Sequence, residues 1–355
     1  MTGNPKNTRH LKVNPLAPEP SAIAQAATVL RDGGLVAFPT ETVYGLGANA
    51  LDEEAVRGIF VAKGRPANDP LIVHVASKSA LAEVAAGVPP AALTLVGHFW
   101  PGPLTLVLPR AACIPNIVTS GGETVAVRMP AHPVALALLQ ASGTPIAAPS
   151  ANRFGHVSPT LAEHVLADLS GSIDLVLDGG PTSVGVESTV LTLLTDPPTI
   201  LRPGGVSREA LTAVLGEVHV LERPVLPAES APAPGMLFQH YAPHARLTLY
   251  RGTRHAALQA MREAAMALHA QGLRVGLLLA EEDMAEFTGL PVTLQSSGSL
   301  QAPAEIARQL FAALRALDQA EVQVILVRDF GAAGLGLAIR DRLTRAAGGN
   351  VIQVN

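Results

Sequence analysis

The chain has 355 residues, of which 48% are hydrophobic, and a formal net charge of -4. That length exceeds one ordinary domain and that composition excludes intrinsic disorder, so two packed domains are expected. The negative balance excludes broad electrostatic capture of nucleic acid, and the single cysteine, Cys113, excludes an intramolecular disulfide or a cysteine-only zinc site and fits a reducing cytosol.

Residues 1–18 are polar and proline-containing, without an apolar signal core, and read as a loose lead-in. No run in the chain reaches the ~20 apolar residues of a membrane span, so a cytoplasmic protein with no membrane partner is expected. A helix follows over 21–32, with Ser21 as cap, Ile23, Ala26, Ala27 and Leu30 on one stripe, and Gly33-Gly34 as its stop. Residues 35–38 form a buried-strand run that ends at Pro39, which cannot donate to a sheet ladder. The loop beyond it carries Thr40, Glu41, Thr42 and Tyr44, then Gly45 and Gly47, which let backbone approach a ligand closely. A helix later, Lys63 and Arg65 flank Gly64 ahead of Pro66. Two cations on a constrained turn facing a polar loop point to an anionic ligand, phosphate above all.

The strand at 71–75 turns Ile72 and His74 one way and Leu71, Val73 and Val75 the other. Pro101-Gly102-Pro103 breaks a helix ending near Trp100, and 104–108 returns as a strand. In the next strand, period two places Thr124, Ala126 and Arg128 opposite Val125 and Val127, and an arginine closing a buried strand needs an anionic partner. TPIAAPSAN, 144–152, is a short strand that stops at Pro149 and empties into Ser150-Ala151-Asn152. Ser158-Pro159 reads as the start of a helix over 160–169, whose free amides could receive phosphate. Strands at 175–177, 188–194 and 199–202 complete an α/β domain over 19–220. Its sheet is expected to be mixed, because several connections are too short for helical crossovers.

From 221 to 244 five prolines punctuate a stretch without period, an extended linker. Beyond it, 245–355 alternate strands at 246–250, 275–279 and 322–327 with helices at about 255–270, 304–317 and 335–347, a smaller Rossmann-like domain. Gly334-Leu335-Gly336 lacks the third glycine of a dinucleotide fingerprint. Walker A, HExxH and G-x-S-x-G motifs are absent. Pro243 between His240 and His244 argues against a helical metal pair, and Cys113 has no assignable base.

Taken singly, the remaining polar groups have ordinary explanations: His74 as a core histidine, Ser188 as a strand-edge hydroxyl, Arg202 as a solvated strand end. Taken together, FPTETVYGLGA, KGRP, PLTLVLP, VAVRMP, APSAN, VESTV and LRPG, with the linker APGMLFQHYAPHA, resemble the two-domain form of the YrdC-type threonylcarbamoyl-AMP synthases. That resemblance implies a twisted mixed YrdC-like sheet with helices, plus the Rossmann-like domain. It also implies the reaction of ATP, L-threonine and bicarbonate to threonylcarbamoyl-AMP and pyrophosphate, with magnesium arriving on ATP. Downstream threonylcarbamoyl-transfer proteins and tRNA would be the later partners. By the same resemblance, Thr42, His74, Arg128, the backbone of Ala148, and Ser188 hold threonine, and Lys63 and Arg65 are catalytic. Arg65, Asp69, Thr124, Ser150, Asn152, Ser158, Arg202 and Tyr241 line ATP, and residues 233–244 close as a lid. Two departures stand out: Asp69 replaces a more usual asparagine, and SAPAPGM a more usual serine-proline-glycine lead. The competing readings are a non-catalytic module for double-stranded RNA and a transferase that consumes carbamoyl phosphate.

Overall fold

The structure is a computed structural model that describes residues 6–221 and 240–355. It divides into two compact units, Met1–Phe154 with Ser158–Met236, and Gly155–Val157 with Leu237–Asn355. Most of the linker read at 221–244 lies outside the described residues, and of the expected lid only the part from His240 onward is described.

The first unit opens with β1 (Arg9–Lys12), α1 (Pro20–Arg31), β2 (Val36–Phe38), β3 (Gly45–Asn49), α2 (Glu53–Lys63) and β4 (Ile72–His74). It continues with α3 (Leu81–Val84), α4 (Pro90–Phe99), β5 (Leu104–Pro109), β6 (Thr124–Arg128), α5 (Pro133–Ser142) and β7 (Ile146–Ala147). α6 (Ala162–Leu169), β8 (Leu175–Asp178), β9 (Thr189–Thr192), β10 (Thr199–Arg202), α7 (Arg208–Leu215) and β11 (His219–Val220) complete it. The strands form one 11-stranded sheet in the order β1-β8-β2-β3-β7-β4-β6-β5-β9-β10-β11. Parallel pairs such as β4 with β6 alternate with antiparallel pairs such as β5 with β6, so the sheet is mixed as expected.

Several local expectations fail for physical reasons. The lead-in is not loose: Arg9 to Lys12 pair with β8 in parallel, and Val13 is buried behind them. Helix α1 starts at Pro20 with Glu19 at its N-cap, so Ser21 is not the cap. Gly45 and Gly47 lie in a strand, not a loop, because β3 folds back on β2 with Phe38 opposite Gly45. A Cβ on Gly47 would come within 2.8 Å of both the Phe38 ring and Ile146, so the missing side chain is a packing requirement. Helix α6 begins only at Ala162, because the Pro159 carbonyl accepts the Tyr44 N–H and Ser158 is used elsewhere.

The two faces of this sheet are filled differently. One face carries Ala37, Leu46, Val73, Leu106, Val125, Val127 and Leu191 in a core shared with α2, α4, α6 and α7. The other splits. Val36, Phe38, Ile146, Leu175 and Leu177 pack under α1 and α5, whereas Ile72, Val107, Ala126, Val190 and Leu201 form a small cluster that includes no helix residue. That strand-only half is the face onto which His74 and Arg128 alternate.

The second unit comprises β12 (Arg246–Arg251), α8 (Arg254–Ala270), β13 (Val275–Leu279), a 3-10 turn at Glu281–Phe287, and β14 (Thr293–Ser296). After these come α9 (Pro303–Gln319), β15 (Val324–Arg328), α10 (Gly336–Ala346) and β16 (Val351–Gln353). Its five strands run in the order β14-β13-β15-β12-β16, and every pair is parallel. Helix α8 packs on Val275, Leu277 and Leu279. Gly276, pointing to the opposite face, lies against Leu317 of α9. Both faces are therefore covered, as parallel sheets require. The β14 and β16 strands escape the sequence reading, which saw only the longer apolar runs.

Candidate active site

The row His74, Arg128, Thr105 crosses three neighbouring strands, since His74 stands opposite Arg128 in the β4–β6 register and β5 lies on the other side of β6. Arg128 is 3% exposed, and each of its three guanidinium nitrogens has a near neighbour. Its Nη1 donates to the Thr42 hydroxyl at 2.9 Å, its Nε donates to the Gly102 carbonyl at 3.3 Å, and its Nη2 lies 2.7 Å from Oε1 of Glu41. Oε2 of Glu41 accepts the Ala131 N–H at 3.1 Å. An anionic partner for Arg128 was expected, and Glu41 supplies one from within the chain. Sequence reasoning gave Glu41 no role, although it is the one charged side chain between Thr40 and Tyr44.

His74 is buried against the edge of Phe38, with ring centroids 6.3 Å apart. Burial, reinforced by the Arg128 charge, pushes its pKa down to about 3, so the imidazole is neutral. Its Nδ1 has no hydrogen-bond partner among the described residues, an unmet polar atom in the row. Ser188 is fully buried at the start of β9, and its hydroxyl shares a 2.8 Å hydrogen bond with Thr105. The Ala148 N–H donates to the Ile72 carbonyl, which sets that backbone beside β4. Thr42, His74, Arg128, Ala148 and Ser188 thus converge around one half-face of the sheet.

The cations read for phosphate are more tightly held than a turn would make them. Lys63 is the last residue of α2, which Asp52 caps through the amides of Glu54 and Ala55 and Gly64 ends at φ 64°. Lys63 is 4% exposed, and its Nζ donates to the carbonyls of Ser150 (2.5 Å) and Asn152. Burial, with the neighbouring Arg65 charge, holds the Lys63 pKa well below the ordinary lysine range. Arg65 pairs with Asp69 at 2.9 Å and donates to the carbonyls of Asp69 and Pro70, so the Asp69 carboxylate serves the arginine. Extending the β4–β6 register brings Thr124, at the start of β6, level with Pro70. No side-chain hydrogen bond is found for it.

Arg202 closes β10 and donates to the Ser188 carbonyl at 3.0 Å, which ties it to the group around Arg128. Gly204 permits this approach, because a Cβ there would sit 2.3 Å from the Glu187 carbonyl oxygen. Ser158 donates to Glu187 at 2.5 Å, so its hydroxyl orders the segment before Ser188 and caps no helix. Tyr241 belongs to the second unit, where its buried ring stacks on Phe311 at 5.7 Å and lies under the Arg342 guanidinium. Among the described residues of the first unit, the buried charged side chains are Lys63, Arg65, Arg128 and Arg202 against Glu41, Asp69 and Glu187. The three arginines are matched in number by the three carboxylates, so the group left for a ligand bearing negative charge is Lys63, whose charged form burial disfavours.

Two family models match the chain: the Sua5, YciO and YrdC family, described under telomere recombination, over 28–204, and the threonylcarbamoyl-AMP synthase C-terminal domain over 206–348. The threonylcarbamoyl-AMP synthase of Bacillus subtilis is 48% identical over 93% of this chain and 94% of its own. That of Pyrococcus abyssi is 47% identical over 93% and 95%. The crystal structure of P. abyssi Sua5 complexed with L-threonine superposes with a TM-score of 0.92 at 45% identity, covering 98% of this chain and all of that one.

Proposed function

This chain belongs to the threonylcarbamoyl-AMP synthase family, and from that membership we propose that its first unit joins ATP, L-threonine and bicarbonate into threonylcarbamoyl-AMP, releasing pyrophosphate and water. The observation that carries the reading is the convergence of Thr42, His74, Arg128 and Ser188, with Arg202 tied to Ser188. Arg128 receives the threonine carboxylate, and the neutral His74 and the Ser188 hydroxyl take the remaining polar atoms. The threonine nitrogen, on losing its ammonium protons, bonds to the bicarbonate carbon as one C–O bond breaks and that oxygen leaves as water, and a carbamate oxygen then attacks the α-phosphorus as its bond to the β-phosphate oxygen breaks and pyrophosphate leaves. Displacement at phosphorus calls for alignment and charge stabilisation, which Lys63, Arg65 and Arg202 supply.

The buried carboxylates of the unit are engaged by Arg128, Arg65 and Ser158, and no cluster of metal-ligating side chains occurs among the described residues. Magnesium enters in this reading as part of the substrate, on the phosphate oxygens of ATP. The product then serves threonylcarbamoyl transfer to tRNA by other proteins. The deciding assay measures pyrophosphate release and labelled bicarbonate incorporation, omitting threonine and bicarbonate in turn. Release that persists without threonine, or label that never enters product, overturns the proposal.

A further inference from the structure

In the second unit, β13 and β15 are neighbours whose onward connections diverge, β13 towards β14 on one side and β15 towards β16 on the other. Such a divergence leaves a crevice at the carboxyl ends of the two strands, the place where open parallel sheets take ligands. Asp283, four residues past β13 and fully buried, sits at that edge. One carboxylate oxygen pairs with Arg254 Nε at 2.7 Å and the other with Arg328 Nε at 2.6 Å. Two guanidiniums therefore share one carboxylate, while the neighbouring Glu282 carboxylate accepts from the Ser299 hydroxyl and the Leu300 N–H. The adjacent Asp329 is matched by Arg340 at 2.7 Å.

The unmet valence here is all of one kind. Arg328 is 7% exposed, and while its Nη1 donates to the Asp329 carbonyl, its Nη2 is buried without an acceptor among the described residues. Arg340 Nε is in the same condition, whereas both carboxylate oxygens of the buried Asp283 are met. The loop that follows β15 adds further donors. Gly331 and Gly334 have φ of +107° and +57°, open space surrounds both, and the amides of residues 332–335 donate to no described acceptor. They lead into α10, which begins without a side-chain cap. Phe330 lies under the Arg328 guanidinium at 5.6 Å and holds it in place.

We propose that this edge, formed by Arg254, Arg328, Arg340 and the amides of residues 332–335, binds a phosphate group of a small molecule. An oxyanion would meet the buried Nη2 and the loop amides together. The missing third glycine excludes a dinucleotide of the usual kind, so the ligand class is inorganic phosphate, pyrophosphate or a phosphomonoester.

The test is hydrogen–deuterium exchange of the full chain, read on peptides covering 329–337, with inorganic phosphate, pyrophosphate or AMP against chloride. Because exchange is read peptide by peptide, anions bound in the first unit do not confuse the result. Protection of 329–337 is expected, and AMP acting at lower concentration than inorganic phosphate would identify a phosphomonoester as the source. Ala333→Asp, at an exposed position, should raise the concentration for half-protection at least ~tenfold by setting a carboxylate among the donors. Arg328→Gln should do the same, and if it fails to fold, Ala333→Asp decides alone. Exchange unchanged by all three anions, or protection of wild-type strength in Ala333→Asp, overturns the site.

Discussion

Both units end a buried strand on an arginine and answer it with a carboxylate from another loop, yet they place that pair differently. In the first unit Arg128 lies on a face of the sheet, and all three nitrogens meet Glu41, Thr42 and Gly102. In the second, Arg328 lies at the sheet's edge and shares Asp283 with Arg254. Connectivity explains the contrast. A parallel sheet needs crossover helices that occupy both faces, so polar groups collect at the strand ends. A mixed sheet with short connections leaves half a face to strands alone, and polar side chains can project from its floor of Ile72, Val107, Ala126, Val190 and Leu201.

The largest effect that would break this comparison is expected at Arg128. Arg128→Ala removes the carboxylate clamp and strands Glu41 as an uncompensated buried charge, so kcat/KM for threonine should fall by at least ~100-fold, about 3 kcal/mol. Arg128→Lys keeps the charge but not the fork, and calorimetry should show threonine affinity falling more than ATP affinity. The reverse order would remove Arg128 from the threonine pocket.

A smaller loss, at least ~tenfold in ATP-dependent pyrophosphate release, is expected of Lys63→Met, which keeps the stem of the side chain and deletes its charge. Its donations to Ser150 and Asn152 show that Lys63 also orders the loop, so a circular dichroism spectrum should accompany the assay. Full activity in a folded variant would leave Lys63 a purely architectural residue.

Glu41→Gln sharpens the contrast further, because the amide keeps the shape while Arg128 loses its resident counter-charge. The ligand-free protein should lose ~1–3 kcal/mol of stability. Threonine brings its own carboxylate, so the rise in Tm it causes should be larger in the variant than in the wild type. Equal rises in both would mean that Glu41 does not neutralise Arg128 for the ligand-free state.

How much of this was legible in the chain follows from the range of the forces involved. Period two aligned His74 with Ile72 and Arg128 with Ala126, and the structure agrees: Ile72 and Ala126 share the strand-only cluster while Val73, Val125 and Val127 lie in the opposite core, and it is the pairing of β4 with β6 that sets His74 beside Arg128. Long-range partners were not legible. The ion pair of Glu41 with Arg128, the parallel pairing of Arg9 with Leu175, and the use of Ser158 by Glu187 join distant segments, and local propensity is silent about all three. Glycine misled for a related reason: Gly45 and Gly47 look like loop residues until the Phe38 ring that excludes a side chain is known. Edge strands as short as β14 and β16 carry too few apolar residues for their period to register.

The smallest expected effect is a proton. Burial, then the charge of Arg65, holds the Lys63 pKa well below 10.5 in the ligand-free protein. A triphosphate beside the ammonium favours its charged form and raises that pKa again. Between the depressed and the restored values the bound state holds more protons than the free one, so ATP affinity rises as pH falls through that window and levels off below the depressed value. Calorimetry of ATP binding at one pH in two buffers of different ionisation enthalpy reads the uptake directly. ATP itself titrates, so the informative quantity is the difference between the wild type and Lys63→Met. The wild type should take up more protons, by a fraction of one per site. Identical uptake in wild type and variant would show that Lys63 stays charged without ATP, and that its carbonyl partners alone offset its burial.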